Sequence, residues 1–245
     1  YHLHLQLKEA SDYAHKQQIV LKGDIPIGVY RYGCDAWSNP LLFNMDEQTG
    51  APPDSFATKG QNWGFPTYNW KEMSKDNFNW WRMRFDQMSN YFDAFRIDHI
   101  LGFFRAWSIP IDAVEGIMGR FIPAIPVDIA EFNYKNILFD YNRYCKPYIT
   151  SQVIEQIFET RAEEVKKEYL DVISNDHYSL KDFVNTQAKV AAHFGKKDEA
   201  IKQGLFDLIS NVILFEEKGS GERKFHFRIS IDQTSSFQLL DDYTK

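Results

Sequence analysis

The sequence predicts an α/β protein: a parallel sheet or barrel with helices outside. Three observations carry this expectation. A helical repeat at the N-terminus leads into a β-branched run that closes on Gly and Pro. The same helix-then-strand order recurs between residues 74 and 104. Each β run also ends in a loop rich in Asp, Asn, Gly or aromatic residues. Alternation of this kind favours parallel strands joined by helical crossovers, with functional loops at the strand ends.

Each element has its own reason. In LHLQLKEASDYAHKQQ, Leu3, Leu7, Ala10 and Ala14 fall at helical spacing. IVLKGDIPIGVY, from 19 to 30, reads as a buried strand. Residues 33–69 are dense in Gly, Pro, Asn and Asp and are expected to form a long functional loop. Ser74 is the expected N-cap of a helix through NFNWWRMRFDQMSNYF, with Phe78, Trp81, Phe85 and Met88 as its apolar stripe. AFRIDHILGFF reads as a second short buried strand ending near Asp98. Long helical periodicity with a mixed-charge, solvated face follows in VIEQIFETRAEEVKKEYLDVI. Helices are further expected in KDFVNTQAKVAAHF and KDEAIKQGLFDLISNVILFEE, and a strand or extended loop at KFHFRISIDQTSSFQLL.

Composition excludes several classes of function. The 245 residues carry 34 acidic against 28 basic side chains, a net charge of −6, so nucleic acid is not an expected partner. No apolar run is long enough for a membrane helix, so no membrane partner is expected. Two distant cysteines, Cys34 and Cys145, argue against a disulfide framework and for a reducing, cytoplasmic setting. The chain starts at Tyr1 without a leader pattern and is expected to be cut from something longer. The 20 Phe, 13 Tyr and 6 Trp fit either a heavy core or a cleft lined with rings.

Three segments could carry chemistry. In FRIDHILGFFR, Arg96 and Asp98 share one face of a strand. A guanidinium beside a carboxylate favours its ionised form, which a carboxylate nucleophile needs; a structural ion pair is the plainer alternative. In GAPPDSFATKGQNWGFPTYNW, Trp63, Phe65, Tyr68 and Trp70 offer flat faces, while Asp54, Gln61, Asn62 and Asn69 offer hydrogen bonds. That mixture suits a sugar; a packed loop whose rings join the core suits it equally. In GDIPIGVYRYGCDAWSNPLLF, Asp24 and Asp35 are expected loop carboxylates, and Asp35 serves either as a ligand contact or in an Asx-turn.

Together GDIPIGV, GAPPDSF, GQNWGFPTYNW and FRIDHILGFFR resemble the 4-α-glucanotransferases, or amylomaltases, of the α-amylase superfamily. The match covers roughly residues 1–127. The remainder, with KPYI and the ISIDQTSSFQLLDDYTK tail, resembles the helical insertion of the family's larger branch, which acts on maltose and branched glucans. The resemblance implies a (β/α)8 barrel for 1–127, including the nucleophile strand, interrupted by a mostly helical insertion at 128–245. It makes Asp98 the nucleophile and Arg96 the group that orients it and keeps it charged. It gives His99, Asp54, Trp63, Gln61 and Asp35 to substrate binding. Maltose, maltodextrins or branched α-glucans are the implied partners, in a retaining double displacement that needs no cofactor and no metal.

The family's acid/base glutamate lies in a Glu-Asp-Leu-Gly type motif and its transition-state stabiliser in a Thr-His-Asp segment. Neither motif occurs in this chain, and Glu115, Glu131, Glu155 and Glu159 lack the strand context. The chain is therefore expected to be an internal piece of a larger enzyme, inactive by itself, with open sheet edges relieved by the insertion, by self-association or by strand exchange. A glucan-binding module without catalysis and a glycoside hydrolase of the same superfamily are the competing readings.

Overall fold

The computed structural model describes residues 1–245. In chain order it contains α1 (His2–Lys16), β1 (Lys22–Ile25), α2 (Cys34–Ser38), β2 (Phe43–Asn44), β3 (Glu47–Ala51), β4 (Gln61–Asn62), β5 (Thr67–Tyr68), α3 (Trp70–Ser74), α4 (Asn79–Ser89) and β6 (Ala94–Ile97). Then follow β7 (Ala106–Pro110), β8 (Arg120–Ile122), β9 (Val127–Asp128), α5 (Ile129–Tyr134), α6 (Tyr141–Cys145), α7 (Ser151–Phe158) and α8 (Ala162–Tyr169). The last elements are β10 (Leu170–Ser174), β11 (His177–Leu180), α9 (Gln187–Phe194), α10 (Glu199–Ile209), β12 (Leu214–Glu216), β13 (Lys224–Phe227) and α11 (Ser235–Gln238). The chain folds as two compact units, Tyr1–Thr49 with Gly64–Ala106, and Gly50–Trp63 with Trp107–Lys245.

In the first unit β1 and β6 pair in parallel, Lys22 against Ala94 through Ile25 against Ile97. Ile25 turns into an aromatic core with Ile27, Val29, Phe43, Tyr68, Met73 and Trp81. Phe65, Trp70, Trp80, Phe85, Phe95 and Phe103 pack around it. Burying each such side chain contributes about 1.5–3 kcal/mol, which outweighs the weak intrinsic preference of strands only four residues long. Trp81 sits at the centre, with ring centroids 4.8 Å from Phe103 and 5.2 Å from Tyr68. At Gly28 the Phe65 ring lies where a side chain would begin, 2.4 Å from the position of a Cβ.

Three expectations for this unit are corrected. The second strand forms where expected but is not buried: Ala94 and Arg96 are exposed on the face that has no covering layer, and Ile97, on the opposite face, is exposed as well. Residues 33–69 are not one loop but hold α2 and strands β2 to β5. Arg31 pins this stretch, donating from Nε to the Gly64 carbonyl at 3.1 Å and from its two Nη atoms to Met45 and Glu47 carbonyls at 2.6 Å each. Ser74 does not cap α4 either. It ends α3, whose N-cap is Asn69, with Oδ1 accepting from the Glu72 amide at 3.1 Å. The helix α4 starts instead after Phe78, which is left-handed at φ 58°. The first helix is present as expected, but Leu3, Leu5 and Leu7 stay exposed. Polar contacts hold it: Ser11 Oγ donates to the Tyr91 carbonyl at 3.0 Å, and His4 Nδ1 meets the Tyr91 hydroxyl at 2.8 Å.

In the second unit a three-stranded antiparallel sheet runs in the order β12-β13-β9. Its main core joins Val153, Ile154 and Phe158 of α7, Val165 of α8, Val190 and Phe194 of α9 and Ile201, Leu205 and Leu208 of α10. The long helix expected over 153–173 is broken. Glu159 is left-handed at φ 49°, which ends α7, and Leu170–Ser174 pairs with His177–Leu180 as a hairpin. Leu170 is buried while Val172 and Ile173, on opposite faces of the strand, are both exposed, so the hairpin leaves the core after its first residue. Val127 pairs with Phe225, so residues 107–127 lie in the same compact unit as the helices. That stretch from 128 onward mixes helices α5 to α11 with strands β10 to β13.

Candidate functional site

The parallel register of β1 and β6 sets Asp24 directly opposite Arg96. Side chains alternate along a strand, so Lys22, Asp24 and Arg96 share the face away from the aromatic core. Both ends of the Arg96 fork engage Asp24: Nε donates to Oδ1 at 3.0 Å and Nη2 approaches Oδ2 at 2.7 Å. The same Nη2 donates to Asp98 Oδ1 at 3.2 Å. One guanidinium thus links two carboxylates, all three roughly half exposed. The hydrogen bond to Asp24, then the charges of Asp24 and Asp98, raise the Arg96 pKa above its ordinary value. Arg96 is a permanent cation here.

Asp98 follows the C-terminal end of β6. Its amide donates to the Ile25 carbonyl at 3.0 Å, extending the ladder one residue past the strand. The chain then turns sharply. His99 is left-handed at φ 49°, and its carbonyl accepts from the Gly102 amide at 2.9 Å. A non-glycine residue in this region is strained by about 1–2 kcal/mol, a kind of strain that collects at functional sites. The His99 ring packs onto Gly102, where a Cβ would stand 2.8 Å from Cδ2. Asp24 was expected in a loop; the structure makes it a strand residue and the principal partner of Arg96. The cue was the strand pattern itself, since two parallel runs in register bring Asp24 opposite Arg96.

The remaining sequence-derived candidates divide by unit. Asp35 is exposed in the first turn of α2, where its carbonyl accepts from the Asn39 amide at 3.1 Å. Trp63, Gln61 and Asp54 belong to the second unit. The Trp63 indole donates to Gln61 Oε1 at 3.0 Å. Asp54 Oδ1 accepts from the amides of Phe56 and Ala57 at 2.8 and 2.7 Å, so this carboxylate folds its own turn. Of the four rings, Phe65, Tyr68 and Trp70 pack in or against the core of the first unit, and Trp63 belongs to the second unit. No cluster of His, Cys, Asp or Glu with metal-binding geometry is present. No helix is long and apolar enough to cross a membrane.

Asp98 thus stands at the end of a parallel strand, charge-paired to an arginine two residues earlier, an arrangement that holds an ionised carboxylate in register. Residues 1–200 match the family model described as 4-alpha-glucanotransferase, and the chain belongs to that family. It is 44% identical, over its whole length, to the 4-alpha-glucanotransferase DPE2 of Oryza sativa subsp. japonica, of which it spans 27%. It is 42% identical over half its length to a 4-alpha-glucanotransferase of Chlamydia pneumoniae, of which it spans 23%. Among solved structures it resembles an amylomaltase from Streptococcus agalactiae in complex with acarbose, at 24% identity and a TM-score of 0.46 over 66% of this chain and 37% of the other. The chain thus spans about a quarter of the length of the curated relatives it matches.

Proposed function

We propose that the protein containing this chain is a 4-alpha-glucanotransferase that moves α-1,4-glucan segments or glucosyl units between maltodextrins. Asp98 is its nucleophile. A carboxylate oxygen attacks the anomeric carbon as the glycosidic C–O bond breaks, and the departing glucan oxygen takes a proton from a carboxylic acid. A hydroxyl of a second glucan then displaces Asp98 and returns its proton to that group, so configuration is retained. Arg96 keeps Asp98 oriented and is itself fixed by Asp24. Asp24, tied by both oxygens to Arg96, is a strut and not the proton donor; the donor is to be sought on the next strand of the whole enzyme. The observation that carries the reading is the Arg96–Asp98 pair at the end of β6, 3.2 Å apart, in a chain of this family.

In this reading β1 and β6 are neighbouring strands of a (β/α)8 barrel, whose sites lie at the C-terminal strand ends. Residues 1–127 belong to that barrel and 128–245 to an insertion in it. His99, Asp54, Trp63, Gln61 and Asp35 contact maltose, maltodextrins or branched α-glucans. The open face of the β1–β6 pair, with Leu101 69% and Phe104 73% exposed nearby, favours self-association of this piece when it is made alone. A cytoplasmic location is part of the proposal, supported by two unpaired cysteines. A relative from Solanum tuberosum is named chloroplastic/amyloplastic, so cell fractionation decides between compartments.

The test uses the full-length enzyme with maltotriose. Transfer gives glucose and longer maltodextrins, whereas hydrolysis gives only shorter sugars. Asp98→Asn is expected to abolish turnover and leave sugar binding largely intact. Wild-type turnover in that variant overturns the assignment.

A further inference from the structure

The second unit contains a cleft of about 710 Å³ whose lining includes none of the residues assigned above. It is lined by α6, the Lys146–Ile149 stretch, the β10–β11 hairpin and the N-terminal end of α9, together with residues from 112–118 and 209–215. Its volume falls within the roughly 300–1,000 Å³ typical of small-molecule sites. We propose that this cleft is a second carbohydrate site, taking a neutral sugar by stacking and hydrogen bonds. The choice of an α-glucan among neutral sugars rests on the transferase reading.

Charge argues first for a neutral ligand. Asp112 and Asp140 balance Arg143 and Lys146 around the lining. Both cations are also engaged. The Arg143 guanidinium lies 3.8 Å from the Tyr148 ring centroid and donates to Ser236 Oγ at 2.7 Å and to the Ser236 carbonyl at 2.6 Å. The Lys146 ammonium lies 5.4 Å from the Tyr141 ring. With two acidic and two basic side chains the lining has no net charge to draw in a phosphate or carboxylate.

The form of the lining argues next for a sugar. Its apolar lining includes Ile149, Ile209 and Val212, each at most 6% exposed. Tyr148 and Tyr178 supply ring surface, and His177 meets Tyr148 edge-on at 5.7 Å. His177 Nδ1 bonds the Asn175 carbonyl at 3.1 Å, which orients the imidazole. Asn142 and Asn185 are exposed at the cleft; the Asn185 amide accepts from Lys189 Nζ at 2.8 Å and donates to Asp182 Oδ1 at 3.4 Å, which leaves it one N–H and one lone pair for a ligand. An amide offers a donor and an acceptor side by side, matching two neighbouring hydroxyls. Apolar C–H faces against rings and hydroxyls against amides are what a pyranose requires.

The experiment follows side-chain NMR signals of His177, Asn142 and Asn185 in this chain while maltotriose is added, with inorganic phosphate as the counter-probe. Saturable shifts with maltotriose and none with phosphate are expected. His177→Ala combined with Asn142→Ala, both exposed positions, is expected to weaken maltotriose binding at Asn185 by at least about tenfold while the rest of the spectrum stays folded. Absence of saturable shifts in the unmodified chain overturns the proposal, as does saturation by phosphate instead. The full-length transfer assay separates the two readings. Shifts without transfer sink the transferase reading alone, and transfer without shifts sinks this site alone.

Discussion

Arg96 holds Asp24 at 3.0 and 2.7 Å but reaches Asp98 with a single donor at 3.2 Å. The arginine is therefore anchored on the neighbouring strand and presented to Asp98, and is not held by Asp98. Removing the anchor should leave Asp98 in place but loosen its partner. Asp24→Asn in the full-length enzyme is expected to lower kcat by about 10- to 100-fold with little change in KM, the size of effect that a misplacement near 1 Å produces. Asp24→Glu should recover part of the loss. A change in KM alone, with kcat intact, would assign Asp24 to sugar binding instead.

Arg31 makes the second prediction. Its guanidinium is 8% exposed and serves three carbonyls, Met45, Glu47 and Gly64, from three nitrogen atoms. Burial pulls its pKa below the ordinary arginine value, yet not far enough to discharge it. Lysine keeps the charge but cannot reproduce the planar fork. Arg31→Lys should therefore destabilise the protein by about 1–3 kcal/mol through carbonyls left without donors. Denaturant unfolding checks this, and an unchanged midpoint would return Arg31 to a surface role.

The contrast between these two arginines shows what the sequence could convey. Arg96 and Asp98 were legible because period-two alternation places them on one face, and the motif around them is specific. Arg31 was not, because its partners are backbone carbonyls 14 to 33 residues away, and carbonyls have no sequence signature. Asp24 was read as a loop residue because Pro26 and Gly28 suggest an early end to the strand, while the ladder continues to Ile25. Helical periodicity runs unbroken through Glu159, since α7 and α8 both present apolar residues to one core; only the left-handed backbone there divides them. Phe65, Tyr68, Trp70 and Trp63 look alike in sequence. What separates the first three from Trp63 is the core formed around Trp81, a long-range packing fact.

Two glycines test the packing of the second unit. Gly204 lies inside α10, where an added Cβ would stand 2.3 Å from the Phe158 ring, itself buried. Alanine favours a helix by about 1 kcal/mol over glycine, but forcing a ring aside in a full core costs about 1–3 kcal/mol. Overpacking wins because Phe158 has no open side, so Gly204→Ala should lower the unfolding midpoint. Gly195 caps α9 at φ 56° with nothing within 4 Å of its added Cβ. At ψ −113° this is not the left-handed helical region but a rarer one, so Gly195→Ala should cost about 1–3 kcal/mol through backbone strain alone. If Gly204→Ala proves stabilising, the α7–α10 contact is looser than drawn.

Cys145 links the second unit to pH. Burial, and then the nearby charge of Glu216, pushes its thiol up to about 12, while Cys34 is exposed on α2. The thiolate is the reactive form, so at pH 8 iodoacetamide should modify Cys34 in the folded protein and reach Cys145 only on unfolding. The same shift makes stability pH-dependent. Because the folded pKa lies above the ordinary thiol value of 9.0, the unfolded chain loses this proton first as pH rises. Stability is thus fully present below about pH 9 and falls as pH climbs toward about 12. Tyr68 and Tyr141, both also raised to about 12 by burial from an ordinary 10.0, add to the fall in its upper part. The slope between pH 9 and 10 therefore belongs mainly to the thiol, and Cys145→Ala should flatten it there while leaving the tyrosine-driven fall above pH 10. Equal slopes for both proteins from pH 9 to 10 would mean that Cys145 ionises as readily folded as unfolded.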